Sequence, residues 1–274
     1  MSICRAASSM PEPRLVPLGR GSYTSTCLQE RQLNIFSAPL VDNARAQRWE
    51  QGLSASEQAR AQRFIDPIHR RRFVLRRWIL RCLLGSRLDA VPESLTFRIN
   101  AFGRPMLAAP FDRAGLVFSA SHSGDLALIA LRIGRPMFAV DVECARVLDD
   151  ADQLVARLFS PAEREEYRGL DPADRQEAFW RGWTVKEAFI KALGFGLSFP
   201  LDQFDVVLRP DRGAAIAQVR GLDAAPWDVC IVDVGRDYRG ALVGQDLHGV
   251  ARTLVPQNLD FASLPEPRSP QPEP

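Results

Sequence analysis

The sequence predicts an α+β fold in which two similar halves pack face to face. Its 274 residues are enough for one large globular domain or two small ones. A hydrophobic share of 46% and a charged share of 25% are ordinary for a soluble protein with a buried core. Helical and extended patterns alternate, and one arrangement of helices followed by strands occurs twice. We expect a ligand to bind in the crevice between the two halves.

The pattern divides the chain into four segments. Residues 1–30 form an irregular lead-in, residues 31–137 the N-terminal half, residues 138–255 the C-terminal half, and residues 256–274 a proline-rich tail. Five prolines lie within residues 262–274 alone. We therefore expect regular structure in neither the lead-in nor the tail.

The repeated stretch begins with a helix-capping sequence in each half. Ser54-x-x-Glu57 and Ser160-x-x-Glu163 have the spacing of a capping box, which predicts a helix start. The dipeptides Leu84-Gly85 and Leu193-Gly194 predict the ends of the two long helices that follow. The extended segments after them are 95–99, 116–120 and 126–131 in the first half, and 204–208, 227–234 and 241–243 in the second. Because capping boxes are common, a chance likeness between the halves is the alternative.

The composition argues against several classes of protein. A net charge of +2 is too small for a dedicated nucleic-acid binder. No apolar run approaches the roughly 20 residues of a membrane span, and the first residues lack the pattern of a signal peptide. The five cysteines are scattered without CxxC spacing, which favours reduced thiols and a cytoplasmic location.

Two carboxylates lie on a segment that we predict to be a buried strand. In Phe138-Ala-Val-Asp-Val-Glu143, strand alternation puts Asp141 and Glu143 on one face and the valines on the other. Two acids on one face of a buried strand repel each other, and a hard divalent cation would relieve the repulsion. The alternative is a solvent-exposed strand end with two acids of no special role.

The helix predicted at residues 177–193 carries a third candidate acid, Glu187, and both lysines of the chain. Of 35 basic residues only two, Lys186 and Lys191, are lysines. Glu187 and Lys191 are four residues apart and share a helix face with Trp180 and Thr184. A surface ion pair is the plain interpretation. A Glu on the buried side could instead be a metal ligand or a general base, and such a Lys could hold a phosphate.

Three further features favour an anionic ligand. His122 lies between two serines at the end of a strand pattern, where small neighbours let an anion come close, although a lone His is more often structural. Nine arginines against one acid occur in residues 60–87. This cluster fits phosphates, and RNA or DNA is the rival ligand. Gly103-Arg104-Pro105 predicts a turn with a basic side chain at its tip.

Taken in order, these motifs resemble the surfactin-type (Sfp-like) 4'-phosphopantetheinyl transferase family. The family pattern runs G-[KR]-P, S-H-S, [VI]-D-[VI]-E and W-[TS]-x-K-E-[AS]-x-x-K. The matching segments are 103–105, 121–123, 140–143 and 183–191, and the resemblance covers roughly residues 45–245. One departure is Ala139, where the family commonly has Gly. The family fold is a pseudo-dimer of two α/β halves with the active site at their interface, in agreement with the repeat.

The resemblance implies a reaction and a role for each motif. The enzyme would move 4'-phosphopantetheine from coenzyme A to a serine of an apo acyl or peptidyl carrier protein and release adenosine 3',5'-bisphosphate. Mg²⁺, or Mn²⁺ in its place, would be held by Asp141, Glu143 and Glu187. Glu187, Lys191 and His122 are the expected catalytic residues, and Glu187 could be a ligand or the base. The expected coenzyme contacts are Arg60, Arg72, Arg77, Arg104, Pro105, Ser121, His122, Lys186 and Lys191.

Several points stay open at the level of the sequence. Lys186 faces about 100° away from Glu187, so it could serve a carrier-docking face or the phosphates. We expect a single chain to act as a monomer with an internal pseudo-twofold axis, without nucleic acid or membrane as a partner. A nucleic-acid binder would have no use for the three acids. Another magnesium-dependent phosphate enzyme would not explain the ordered motifs, and an inactive relative would not keep all of them.

Overall fold

The computed structural model describes residues 33–101, 103–134, 137–194, 199–213, 215–220, 226–247, 250 and 253–268. The expected lead-in at residues 1–30 therefore lies outside the described residues. Within the described ranges the chain mixes helices with mostly antiparallel strands, as the sequence predicts.

Among the described residues the α-helices fall into two groups of three, one in each half. They are α1 (Asn43–Trp49), α2 (Ala55–Gln62) and α3 (Pro67–Leu88), followed by α4 (Ala151–Leu158), α5 (Pro161–Arg168) and α6 (Arg175–Leu193). The first group shares its half with β1 (Asn34–Pro39), a strand that precedes α1 and that was not predicted from the sequence.

The strands form two four-stranded sheets and two short hairpins. In the first sheet the order is β12 (Gln257–Asn258), β1 (Asn34–Pro39), β5 (Leu126–Ile133) and β4 (Leu116–Ser123). In the second it is β11 (Thr253–Leu254), β9 (Asp228–Val232), β10 (Tyr238–Gly244) and β6 (Phe138–Cys144). The hairpins pair β2 (Phe97–Ile99) with β3 (Pro105–Leu107), and β7 (Phe204–Val206) with β8 (Ile216–Val219). In both large sheets one central strand, β5 or β10, is antiparallel to both of its neighbours.

Both predicted capping boxes are confirmed. At the start of α2 the Ser54 hydroxyl accepts from the Glu57 N–H, and the Glu57 carboxylate accepts from the Ser54 N–H. Ser160 and Glu163 make the same reciprocal pair at the start of α5. Each capping glutamate also pairs with the long helix of its half, Glu57 with two arginines of α3 and Glu163 with Lys186 of α6.

The two predicted helix ends differ in outcome. Gly194 ends α6 in the left-handed conformation at φ 78°, as the Leu-Gly signal predicts. The prediction for Gly85 is wrong, because α3 continues to Leu88 and Asp89 takes the left-handed position at φ 49°. Gly85 is instead needed for close packing, since an added Cβ would lie 2.6 Å from the Ala90 carbonyl oxygen.

Three groups of buried side chains hold these layers together. The first lies between α3 and the first sheet and includes Trp78 and Ile129. The second lies between α6 and the second sheet and includes Phe189 and Val243. The third joins the halves, because residues of β5 such as Leu128 pack with residues of β6 and β10. The strands β4 and β6 therefore run close together where the halves meet.

The start of the proline-rich tail is folded, contrary to expectation. Strand β12 pairs with β1, and Leu259 and Leu264 are buried in the core of the N-terminal half. The indole N–H of Trp78 donates to the Pro265 carbonyl at 2.9 Å. Residues 256–268 thus complete the first sheet and its core, which the proline content alone does not reveal. Residues 269–274 lie outside the described residues.

Within the described ranges, none of the helices combines the length and the apolar character that crossing a bilayer requires.

Candidate active site

Two serines of β4 face two carboxylates of β6 across the junction of the halves. Ser121 Oγ donates to Asp141 Oδ1 at 2.7 Å, and Ser123 Oγ donates to Glu143 Oε2 at 2.7 Å. Both pairs are two residues apart on their strands, so strand alternation puts the four side chains on facing surfaces. The Ser-His-Ser motif and the Asp-x-Glu motif, which lie in different halves, are therefore brought together.

Lys191 of α6 completes this group. Its Nζ lies 2.5 Å from Asp141 Oδ1 and donates to Ser121 Oγ at 3.1 Å. The charge of Asp141 holds the pKa of Lys191 above its usual value, although burial opposes this. Asp141 Oδ2 is buried and has no hydrogen-bond partner among the described residues. A carboxylate oxygen without a partner in such a place is open to a cation.

Glu187 lies close enough to Asp141 and Glu143 for their negative charges to affect its pKa. Burial, together with the charges of Asp141 and Glu143, raises the pKa of Glu187 to about 7, while Lys191 opposes the rise. Burial and the charge of Asp141 also raise the pKa of Glu143. The Glu187 carboxyl group has neither a hydrogen bond nor an ion pair to another described residue. Its carboxyl group is thus available to a ligand or a proton.

The donor set fits a hard divalent cation, although it does not form a closed cage. Within the described ranges, no three His, Cys, Asp or Glu side chains converge closely enough to hold a metal ion by themselves. Mg²⁺ is usually bound through one or two carboxylates plus waters and substrate phosphates rather than by an all-protein cage. Asp141, with its unpartnered oxygen, and the half-buried Glu143 and Glu187 have that chemistry.

His122 lies between this acidic group and the arginines of α3. The residue is exposed to solvent, although neighbouring protein atoms reduce the hydration of its ring. The resulting loss of hydration, together with Arg76, Lys191 and Arg72, lowers the pKa of His122 to about 4. The imidazole is therefore neutral at physiological pH, and it has no hydrogen bond to another described residue. One ring N–H can be donated to an anion.

An arginine-lined cavity of about 550 Å³ adjoins this region. The guanidinium groups of Arg60 and Arg76, which line this cavity, both lie over the Phe73 ring, at 5.3 and 5.2 Å from its centroid. Arg76 is a residue that the sequence analysis missed. Its Nε is buried without a partner among the described residues, and burial, with help from Arg77 and Arg60, lowers its pKa to about 10. A bound phosphate would stabilise such a guanidinium, because its oxygens would accept hydrogen bonds from the N–H groups that have no partner.

Arg77, which the sequence analysis put among the coenzyme contacts, is committed to an internal ion pair. Its Nε donates to Glu57 Oε1 at 2.7 Å, and its guanidinium lies 4.7 Å from the centroid of the Phe97 ring. The side chain still lines the arginine cavity. Arg77 thus shapes this cavity, whereas Arg60 and Arg76 carry the freer charges.

The Gly103-Arg104-Pro105 turn lies at the rim of the same cavity and of a second one of about 240 Å³ beside Lys191. The Arg104 guanidinium donates to the carbonyl oxygens of Lys191, Phe118 and Phe138 at 3.1 to 3.4 Å. Arg104 therefore ties the turn to both halves and has fewer donors left for a nucleotide than expected. Pro105 lines both cavities.

The expectation that Lys186 contacts the coenzyme is corrected by its position. The side chain is fully buried, and its Nζ bonds Glu163 at 2.8 Å and the carbonyl oxygens of Leu201 and Phe204 at 2.6 and 3.0 Å. It also lies 4.1 Å from the centroid of the Phe204 ring. All three ammonium protons have partners inside the C-terminal half, so Lys186 holds the helix rather than a ligand.

Comparisons with known proteins point to one family. The family model described as the 4'-phosphopantetheinyl transferase superfamily matches residues 137–243. The 4'-phosphopantetheinyl transferase HetI of Nostoc sp. (strain PCC 7120) is 38% identical over 66% of this chain and 77% of that protein. The 4'-phosphopantetheinyl transferase psf-1 of Bacillus pumilus is 33% identical over 65% of this chain and 75% of that protein.

A third relative is the 4'-phosphopantetheinyl transferase Sfp of Bacillus subtilis (strain 168), which is 31% identical over 60% of this chain and 75% of that protein. The matched region of the family model spans β6 to β10 and includes Asp141, Glu143, Glu187 and Lys191. The chain belongs to the 4'-phosphopantetheinyl transferase family.

Proposed function

We propose that this enzyme transfers the 4'-phosphopantetheine group of coenzyme A to a serine of an apo acyl or peptidyl carrier protein. The carrier serine Oγ attacks the phosphorus that bears the pantetheine arm. The bond from that phosphorus to the bridging oxygen breaks, and adenosine 3',5'-bisphosphate leaves. The observation that carries the proposal is the group of Ser121, Asp141 and Lys191, in which residues from both halves meet beside an arginine-lined cavity.

The acidic side chains suit a cation and a proton. Asp141, Glu143 and Glu187 would hold Mg²⁺, or Mn²⁺ in its place, and the bound ion would neutralise charge on the pyrophosphate. Glu187 is also the best candidate to accept the serine proton, since its half-buried carboxyl group has no hydrogen-bond partner among the described residues. Its two roles, ligand and base, are both compatible with its position.

The basic and neutral donors suit the phosphates. Lys191 would neutralise the charge that builds up on the leaving phosphate, and Ser121 fixes its ammonium. His122, which stays neutral, would donate a hydrogen bond to a phosphate oxygen. Arg60 and Arg76, which line the arginine cavity, would bind the adenosine 3'-phosphate, and Arg72, one helix turn before Arg76 on α3, would assist them.

The arrangement supports a pseudo-dimer that acts as a single chain. Each half has a capping-box glutamate paired with its long helix, and each has a sheet with an antiparallel central strand. The proposed active site lies between them, so one chain contains every residue that it needs. Cys82, Cys144 and Cys230 are free thiols, which is in keeping with a cytoplasmic location.

The test is an intact-mass measurement on the carrier protein. The purified enzyme is mixed with coenzyme A, Mg²⁺ and an apo acyl or apo peptidyl carrier, and the carrier should gain the mass of one phosphopantetheine. EDTA and the Glu187→Gln variant should abolish the gain. The matched control is Glu165→Gln, which changes an exposed glutamate of α5 in the same way and should leave the gain intact.

The outcomes separate the rival functions. No gain with several carrier classes, despite measurable binding of coenzyme A, would indicate a carrier outside the set tested. Absence of coenzyme A binding as well would refute the proposal. Tight, salt-sensitive binding of DNA or RNA would then make the arginine cluster a nucleic-acid site.

A further inference from the structure

Arg72 of α3 is held along one edge only. Its Nε donates to Asp125 Oδ1 at 2.8 Å, and this hydrogen bond holds the pKa of Arg72 above its usual value. Among the described residues no partner is present for either of its terminal nitrogens. Because Asp125 engages only the Nε–H, the four N–H groups on the two terminal nitrogens remain available to a ligand. They are therefore free to bind a planar or tetrahedral oxyanion.

The neighbouring Arg71 shares Asp125 but has a different role. Its Nη2 donates to the same Oδ1 at 2.9 Å, its Nε donates to the Leu40 carbonyl at 2.9 Å, and its Nη1 bonds Asn43. All three of its nitrogens thus have partners within the protein. Arg71 fastens α3 to the end of β1, whereas Arg72 offers donors to something else.

Asp125 is itself fixed by the tight turn between β4 and β5. Its carbonyl accepts from the Leu40 N–H at 2.8 Å, and its own N–H donates to Tyr238 Oη at 3.3 Å. The turn residue before it, Gly124, has a φ of 51°, and an added Cβ there would lie 3.2 Å from Tyr238 Oη. The turn is therefore anchored to both halves, and His122 lies three residues before Asp125 on the same strand end.

The charge of Asp125 would be a disadvantage if it only lay near the phosphates. A carboxylate beside an anion site repels the ligand, and hydrogen bonds from Arg72 and Arg71 hold the pKa of Asp125 below its usual value, so the charge is permanent. An acid at position 125 is explained if Asp125 strengthens anion binding more, by orienting Arg72, than it weakens that binding by repelling the anion.

We propose that Asp125 is a positioning residue that holds the Arg72 guanidinium with its terminal nitrogens toward the 3'-phosphate of coenzyme A. This inference rests on the proposed function. Asp125 does not touch the substrate, and it acts through Arg72.

The experiment measures the affinity of the full chain for coenzyme A and for dephospho-coenzyme A, which lacks only the 3'-phosphate. Asp125→Ala should weaken coenzyme A binding roughly tenfold, the factor that one charge-assisted hydrogen bond is worth, and leave dephospho-coenzyme A unchanged. Asp125→Asn keeps an oxygen that accepts from Arg72 Nε and should restore most of the affinity. In an Arg72→Ala background, Asp125→Ala should have no further effect.

Arg71→Met is the matched control, because Arg71 shares Asp125 but has each of its three nitrogens engaged within the protein. It should lower the unfolding midpoint in urea while coenzyme A affinity stays within about twofold. If Asp125→Ala and Asp125→Asn both tighten coenzyme A binding, Asp125 acts only by repulsion and the inference is overturned. Equal losses for both ligands would also overturn it, because they would indicate general damage. Failure of the wild type to bind coenzyme A at all would refute the proposed function instead.

Discussion

The buried pair of Lys186 and Glu163 is the most informative target for substitution. Lys186 is fully buried, and Glu163 is 1% exposed. Lys186→Met keeps most of the length of the side chain but removes its ammonium group. Glu163 would then be a buried charge with only the backbone N–H groups of Ser160 and Val206 as donors. The carbonyl oxygens of Leu201 and Phe204 would lose a donor as well.

The expected cost follows from these contacts. Removing one partner of a buried ion pair destabilises a protein by about 3–5 kcal/mol, because the other charge is left uncompensated in a medium of low polarity. Burial already acts against both charges here, since it raises the pKa of Glu163 and lowers that of Lys186. The double variant Glu163→Gln/Lys186→Met has no buried charge, and we expect it to be more stable than the single variant by about 2 kcal/mol or more.

The assay is urea unfolding followed by tryptophan fluorescence, with coenzyme A affinity measured on the same samples. The single variant should lose stability, and its affinity for coenzyme A at low temperature should change little. A loss below about 1 kcal/mol would refute the argument that this pair is buried and coupled. Unchanged stability with a tenfold loss of affinity would return Lys186 to the phosphate site that its sequence motif suggests.

Three further outcomes are expected. In an NMR titration, His122 should stay neutral down to about pH 4, and the His122→Gln variant identifies its signal. The pKa of His122 in the folded protein lies below the unfolded value of 6.5. Its contribution to the free energy of unfolding is therefore present above pH 6.5 and is lost as the pH falls toward 4. Bound coenzyme A should raise this pKa, and a value near 6.5 in the free protein would contradict the crowded position of the imidazole. Lys191→Met should weaken coenzyme A binding at least about tenfold. Calorimetry should find that the variant binds Mg²⁺ no more weakly than the wild type, because the Lys191 ammonium and the metal ion compete for Asp141. Weaker Mg²⁺ binding by the variant would contradict that competition. Deleting residues 256–274 removes the buried Leu259 and Leu264 and should lower the free energy of unfolding by roughly 3–6 kcal/mol. The fluorescence emission of Trp78, which loses its contact with Pro265, should shift to the red. An unchanged urea midpoint would mean that the segment does not pack on the core.

Local signals in the sequence were sufficient for much of the fold. The capping boxes at Ser54 and Ser160 were predictable because each depends on contacts within four residues. The single face shared by Asp141 and Glu143 was predictable because strand alternation is fixed by backbone geometry. The prediction that α3 ends at Gly85 was wrong because a glycine after a leucine can serve either of two purposes. It can end a helix, or it can allow close packing, as Gly85 does against the Ala90 carbonyl oxygen.

Within the site, the different roles of residues close together on one helix became clear only from the tertiary packing. Lys186 and Lys191 belong to the same motif, but Lys186 points into the C-terminal core and Lys191 into the junction of the halves. Arg76 and Arg77 differ in the same way, since Glu57 engages Arg77 and not Arg76. Helical periodicity indicates that such neighbours face different ways, but it does not indicate which face meets the ligand.

The sequence by itself determined the α+β composition, the capped helices, the acidic strand face and the resemblance to the transferase family, because each depends on local spacing and residue chemistry. Only the tertiary structure decided that Ser121 and Ser123 meet Asp141 and Glu143, that Asp125 grips Arg72, and that residues 256–268 complete the first sheet. These contacts join residues that are up to about 220 positions apart, and their formation depends on how the two halves and the chain end pack, which no local pattern encodes.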